Sequence, residues 1–590
     1  MSHSELLARV FHSGPILAAV QSARLWPDSK TFVDCPAKVP LEEVLARFDT
    51  ACVDVAAFVE DCFVQEAGAE LQAHTPADWR PDVAWFASLS TQQARNLAAE
   101  LHSRWALLCR VSKAPGDSDK LCSTLLPLPW PCFVPGDRFR EVYYWDSLFI
   151  VRGLLAVEMT ASAVGVASNL LHLASQHGFV PNGARSYYTN RSQPPVLAAV
   201  LQALDDAGVL DTSLRDAALP VLIAEWAFWT APGTHGVRIT ASSSSGPREF
   251  RLSRYNANWT SPRPESWRED VATAAGLTTP GAKARVWREL ATAAESGWDF
   301  SSRWCSPAAV AMAIQEGVDA CDAHLLLRHT RCSRIVPADL NALLLILARC
   351  ISKWARQVRD EPTGNAFAAH AQALAEAIHA VLWDPTGAQW RDFELTGFDD
   401  EGDIDSLATD NSSFIWTGRQ SSREFASNWV PLWCGCLQPG SADALACCAS
   451  LAASRLVQPG GIAASETATG QQWDWPNAWP PLQLLLAEGV ARAGGPAGVA
   501  LGKAMAGSYL RACVAGLAHQ PVGAMHEKYD ATVEATLDGG ATCTRNAGGG
   551  GEYAPQVGFG WSNGVALAML RTHGGIPDTT LSDVVAKMSK

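Results

Sequence analysis

The chain has 590 residues, with 46 Lys and Arg against 60 Asp and Glu and a formal net charge of −14. No basic run or aromatic-interleaved basic stripe is present that could neutralise phosphates, so a nucleic-acid partner is not expected. No run of about 18 apolar residues reads as a membrane span, and residues 1–17 lack a basic start and a long apolar centre, so a soluble, cytoplasmic protein without a membrane partner is the expectation.

Taken in order, residues 14–35 predict one short helix and then extended chain. Residues 41–108 are helical in pattern with a Pro-rich interruption at 75–81, and 115–135 is a loop dense in Pro. Residues 1–134 are therefore expected to wrap a catalytic body at 135–575 as part of the same domain, with 576–590 as a tail. Beyond 135, polar aromatic loops alternate with Ala/Leu-rich helices predicted over 147–176, 196–206, 338–358, 365–382, 442–456 and 482–493. The clearest is 365–382, which sets Phe367, Ala371, Leu374, Ile378 and Val381 on one face. Residues 386–395 read as a short hairpin, but no repeated alternation predicts a sheet. The expected fold class is all-α, with the helices closing into a toroid.

Several motifs are excluded by their context. Gly548–Gly551 and Gly558–Gly564 have neither the preceding strand nor the spacing of a dinucleotide site, and are expected to be flexible loops. His526-Glu527-Lys528-Tyr529-Asp530 is not H-E-x-x-H, and the 16 Cys show no C-x-x-C pair, so no metal site is expected and the cysteines read as small buried apolar residues. Sequons stand at Asn190, Asn258 and Asn411, and residues 242–245 and 396–406 read as surface elaborations.

Chemistry concentrates first at residues 293–304. The run 282–294 places Val286, Leu290 and Ala293 at helical spacing, and Gly297 reads as its stop. Asp299 then lies past a helix C-terminus between Trp298 and Phe300. The dipole and the desolvation both favour its protonated form, which suits a general acid. A carboxylate capping a loop over core aromatics fits the same stretch, and these residues alone leave the two readings open.

Five companion loops combine carboxylate or Arg with aromatics, as a pocket for a neutral polyhydroxyl ligand needs: residues 138–147, 181–195, 263–270, 471–479 and the loop at Glu527. The chain has 23 Trp against 8 Tyr, and many of the Trp lie in such loops, where flat rings beside hydrogen-bonding groups suit sugar faces.

On Pro135-Gly-Asp-Arg-Phe-Arg-Glu-Val-Tyr-Tyr-Trp-Asp-Ser147 and Gln472-Trp-Asp-Trp-Pro-Asn-Ala-Trp-Pro-Pro481, the chain resembles the trehalase family of glycoside hydrolases, with further agreement at residues 178–183, 190–195, 263–266, 295–304, 527–530 and 548–563. The resemblance implies an (α/α)6 toroid with catalytic loops on one face. It also implies inverting hydrolysis of a small disaccharide, α,α-trehalose, without metal or other cofactor. It assigns Asp299 as general acid and Glu527 as general base. It assigns sugar contact to Arg138, Trp145, Asp146, Asn182, Arg191, Ser192, Gln193, Arg263, Pro264, Glu265, Gly297 and Glu552, with Trp473 and Asp474 lining the same pocket. Lys528, with Arg191 or Arg263 nearby, is expected to keep Glu527 ionised. The chain departs from the family at Ala184, at Leu148 and in a long segment at 530–548. Two alternatives stay open: an inverting toroid glycosidase for another glucoside, and an inactive sugar-binding homologue.

Overall fold

The computed structural model describes residues 1–51, 54–113, 122–136, 138–243, 246–315, 323–397, 414–518, 525–535, 537, 547–553 and 555–588. The Asn411 sequon, Ser244, Ser245, residues 398–406 and most of 530–548 lie outside them.

Twelve helices are arranged as six outer–inner pairs. In chain order they are α1 (Gln92–Leu108) and α2 (Asp146–Ala156), α3 (Thr160–His177) and α4 (Leu197–Asp206), α5 (Thr212–Thr230) and α6 (Ala338–Gln357), α7 (Glu361–Ala377) and α8 (Val430–Trp433), α9 (Ala442–Ala453) and α10 (Pro480–Ala493), and α11 (Gly495–Ala518) and α12 (Gly560–His573). The even-numbered helices pack each on the next, and α12 packs back on α2, closing an inner ring. The odd-numbered helices cover the ring from outside. This is an (α/α)6 toroid.

Local rules account for most of these elements. Asp360 caps α7 by accepting from the Thr363 N–H, Pro362 occupies its first turn, and Phe367, Ala371 and Leu374 form the buried stripe. Inner helices are buried nearly all round: in α10, eleven residues from Pro480 to Ala493 are buried, which is what a ring sandwiched between a core and a second layer demands.

Three expectations are corrected. The helix predicted over 147–176 is two helices, α2 and α3, because Glu158 adopts a left-handed φ of 63° between them. The glycine-rich 558–564 segment is not a flexible loop but the start of α12. Its glycine permits close helix approach, since a Cβ on Gly564 would lie 2.1 Å from the Phe149 carbonyl oxygen of α2. A five-stranded sheet also flanks the ring. Its strands are β1 (Gly236–Ser243), β2 (Gly246–Ser253), β3 (Ile335–Val336), β4 (Phe393–Thr396) and β5 (Ile415–Gln420), in the order β2-β1-β5-β4-β3. Val237 and Ile239 on β1 and Phe250 and Leu252 on β2 are buried, so one hairpin does carry alternation, although the rest of the sheet is built from short pieces distant in sequence.

The N-terminal residues form a second apolar cluster, running from Leu6 to Phe63 and closing on Tyr143, Tyr187 and Tyr188 of the body. A buried ionic group ties the two together: Lys30 bridges Asp34 and Glu141, each at 2.7 Å, and Arg185 bridges Glu141 at 2.8 Å and Glu70 at 2.8 Å. Deleting one member of such a group leaves an unpaired buried charge, at a cost of about 3–5 kcal/mol. The wrap thus braces the 138–147 and 181–195 loops. The last helix, Leu581–Met588, packs on α9 and α11.

Candidate active site

The segments that lead into the inner helices α2, α4, α6, α10 and α12 carry the polar aromatic motifs and meet in one place. They enclose a cleft whose wall includes Arg138, Trp145, Asp146, Asp299, Glu527 and Glu552. Asp146 and Trp145 enter from the start of α2, Gln193 precedes α4, Trp473 and Trp479 precede α10, and Trp561 stands in the first turn of α12.

Asp299 follows the Pro280–Glu295 helix by a glycine stop. Gly297 has a φ of +72°, and a Cβ there would lie 3.2 Å from the Trp145 ring, so both backbone conformation and close packing require glycine. The loop beyond it is held from below. Arg303 pairs with Asp339 at 2.8 Å and Asp392 at 2.7 Å, with its guanidinium 4.8 Å from the Trp298 ring. Asp299 keeps part of its surface open to the cleft, yet the packed wall desolvates its carboxyl. That desolvation pushes the pKa up to about 6, against the pull of Arg263 and Arg191.

Glu527 enters from the loop before α12 and is buried. Tyr553 donates its hydroxyl to Glu527 Oε1 at 2.8 Å, and the Gln556 N–H donates to Oε2 at 3.3 Å. Burial raises its pKa above the ordinary value, opposed by Lys528, the Tyr553 and Gln556 donors and Arg138. The cations near Glu527 are therefore Lys528 and Arg138. Arg191 is instead bound to Glu265 at 2.6 Å, and Arg263 to Asp270 at 2.6 Å and Glu552 at 3.1 Å.

The remaining carboxyls of the cleft are held in different states. Arg191 and Arg263 outweigh burial at Glu265 and hold it below the ordinary value. Burial pushes Asp146 well above its usual range, and the nearby Glu527 and Asp299 add to the shift. Glu552 is also raised, chiefly by burial, with Arg263 opposing. Aromatic rings line the other side: Trp473 stacks on Trp479 at 3.9 Å and on Trp298 at 4.9 Å, with Trp145 5.7 Å from Trp473.

Thirteen of the sixteen residues singled out in the sequence line this cleft, and Ser192, Pro264 and Asp474 do not. The Asp474 carboxylate is fully buried and accepts from Ser301, Ser302 and Thr469, so it fastens the Asp299 loop to the 469–479 loop from behind. The Ser192 hydroxyl donates to the Val180 carbonyl oxygen at 2.7 Å and its N–H donates to Glu295 at 3.0 Å. Pro264 opens the short 3-10 turn Pro264–Ser266. Tyr143, Tyr188, Ser266, Gln472, Trp479, Tyr553 and Trp561 line the cleft as well. All stand in or beside the quoted motifs, but the motifs do not show which side of a loop faces inward.

Polar capacity is left over in the wall. The Nε atoms of Arg138 and Arg191 and Oε2 of Glu265 are buried without a hydrogen-bond partner among the described residues. Buried polar groups are rarely left so, and donors and an acceptor beside tryptophan faces are what a sugar's hydroxyls and ring face require.

The sequence matches the family model "Trehalase" over residues 24–574. It is 37% identical over 561 residues to a "Probable trehalase" of Oryza sativa subsp. japonica, covering 93% of this chain and 92% of that protein. It is 34% identical over 579 residues to a "Trehalase" of Homo sapiens, covering 96% and 90%. Among solved structures, the neutral trehalase Nth1 from Saccharomyces cerevisiae aligns with a TM-score of 0.55 at 22% identity, over 78% of this chain and 75% of that one, a likeness of fold.

Proposed function

Because the chain belongs to the trehalase family, we propose that its cleft hydrolyses α,α-trehalose to two glucose molecules with inversion, using Asp299 as general acid and Glu527 as general base. The observation that carries the roles is the contrast between the two carboxyls. Asp299 has no side-chain hydrogen-bond donor among the described residues and a pKa raised to about 6. Glu527 receives two donors and lies near two cations. Burial raises both carboxyls, but at Glu527 the donors and cations oppose the shift and favour the charged form, whereas Asp299, without such a side-chain donor among the described residues, is held toward its protonated form.

In the reaction, Asp299 delivers its proton to the glycosidic oxygen as the C–O bond breaks. Glu527 takes a proton from a water that attacks the anomeric carbon from the opposite face, for which the two carboxyls must stand roughly 6.5–9.5 Å apart. Arg138, Arg191 and Arg263, with Glu265, Asn182 and Gln193, supply hydrogen bonds to the hydroxyls, and the Trp145 and Trp473 faces cover the apolar side of the rings. Tyr553 holds the base in position, since burial keeps its own hydroxyl protonated. A cytoplasmic setting fits the thirteen described cysteines, all of which are free.

The test is the pH dependence of kcat/KM for trehalose, which reports the free enzyme's acid and base. An acid is active only when protonated, so activity is expected to fall as pH rises through about 6, the pKa of Asp299. The acidic limb is set by Glu527, which must be ionised, and is expected above the ordinary glutamate value. Glucose release that rises steadily from pH 6 to pH 9, or release from maltose exceeding that from trehalose, would contradict the proposal.

A further inference from the structure

The 469–479 loop touches both catalytic loops. Its backbone ties run to either side: the Trp473 N–H donates to the Phe300 carbonyl oxygen at 3.0 Å, and Ala478 pairs with Tyr529 in a two-stranded ladder. One side chain spans the gap between them. The Gln472 Nε2 donates to the backbone carbonyl oxygen of Asp299, and its Oε1 accepts from Lys528 Nζ at 3.0 Å. Lys528 is the residue after Glu527. Gln472 is itself anchored, because its carbonyl oxygen accepts from Asn477 Nδ2 and from Trp479 Nε1, each at 2.9 Å. Lys528 Nζ also lies 3.4 Å from the Gly550 carbonyl oxygen and 4.9 Å from the Trp479 ring centre. No carboxylate is in ion-pair range of it among the described residues.

From this geometry we infer that Gln472 is a positioning residue that sets the placement of Asp299 relative to Glu527, with Lys528 as its second anchor. The inference rests on the acid and base roles proposed above. The amide suits the task because one end must donate to a carbonyl and the other must accept from an ammonium, and a glutamine side chain offers both. Glutamate in its place keeps the acceptor for Lys528 but loses the donor to Asp299. It also brings a negative charge beside both carboxyls. Methionine fills similar space with neither hydrogen bond. The charge of Lys528 is carried by neutral oxygens, so its field acts on the Glu527 and Asp299 carboxylates.

The experiment compares Q472M, Q472E, K528M and D299N on trehalose, with kcat, KM and pH profile measured for each and the folded fraction checked by thermal melting. Q472M is expected to lower kcat by about 10²-fold, the scale of an ångström-sized misplacement, with KM within about threefold and both limbs unmoved. Q472E is expected to lose as much and to move the limb that falls above pH 6 upward, because an added carboxylate raises the pKa of Asp299. K528M, which keeps the bond to Asp299, is expected to raise the acidic limb by removing the cation beside Glu527. Normal kcat in folded Q472M, a rise in KM alone, or an unmoved limb in Q472E would overturn the role of Gln472. If Q472M does not fold, the K528M and Q472E limbs decide. An inactive D299N beside a normal Q472M overturns only this inference, whereas a normal D299N overturns the acid role itself.

Discussion

Replacing Asp299 with asparagine is expected to lower kcat for trehalose by about 10²- to 10⁴-fold, the usual contribution of a positioned proton donor. The side chains are nearly equal in shape, and the loop that holds Asp299 is fixed by contacts elsewhere. Ser301 and Ser302 are bound to Asp474, Arg303 to Asp339 and Asp392, and the Asp299 carbonyl oxygen to Gln472. The loss should therefore be chemical. It should also depend on the leaving group: the departing sugar oxygen of trehalose needs a proton, whereas fluoride leaves without one. D299N should hydrolyse α-glucosyl fluoride far better, relative to wild type, than it hydrolyses trehalose. Equal loss on both substrates, measured by glucose release in steady state, would contradict the role.

Glu527→Gln should show the opposite selectivity. A base that activates water is needed whatever the leaving group, so E527Q is expected to lose about 10²- to 10⁴-fold on trehalose and on the fluoride alike. The variant also disturbs an arrangement made for a carboxylate, since Tyr553 and the Gln556 N–H both donate to Glu527 and an amide nitrogen cannot accept one of these bonds. Thermal melting separates that structural effect from the chemical one. The pair of variants identifies acid and base individually, because only the acid variant is relieved by a good leaving group. Retention of near-native turnover by E527Q would remove Glu527 from the mechanism.

The sequence showed most where a single rule dominates. A stripe such as Phe367, Ala371 and Leu374 predicts α7 because one face alone is buried. It showed least where tertiary packing overrides local preference. Inner helix α12 begins with glycines, which lower helix propensity, and the reason for them lies in the approach to Phe149 on α2. Inner helix α8 spans only Val430–Trp433, too short to carry a period. The β1–β2 hairpin had its alternation at Val237, Ile239, Phe250 and Leu252, but its sheet partners β4 and β5 lie far along the chain.

The site shows the same division. Long contiguous motifs located the cleft, because the loops that carry them lead into the inner helices of one ring. They did not show orientation within a loop. Trp473 faces the cleft and the adjacent Asp474 faces away, to be consumed by three hydroxyls and an N–H. Gln472 joins two loops distant in sequence, which no local pattern encodes. The stretch around Asp299 suggested an acid from its helix end and its aromatics, and the folded chain supplies the larger cause, desolvation by walls drawn from the whole ring.

Single-displacement hydrolysis of trehalose in this cleft is open to a direct test by proton NMR of the reaction before mutarotation. Equal early amounts of α- and β-glucose are expected, because the attacked sugar inverts and the released one keeps its α configuration. Early appearance of α-glucose alone, or no glucose at all from folded protein, would contradict it.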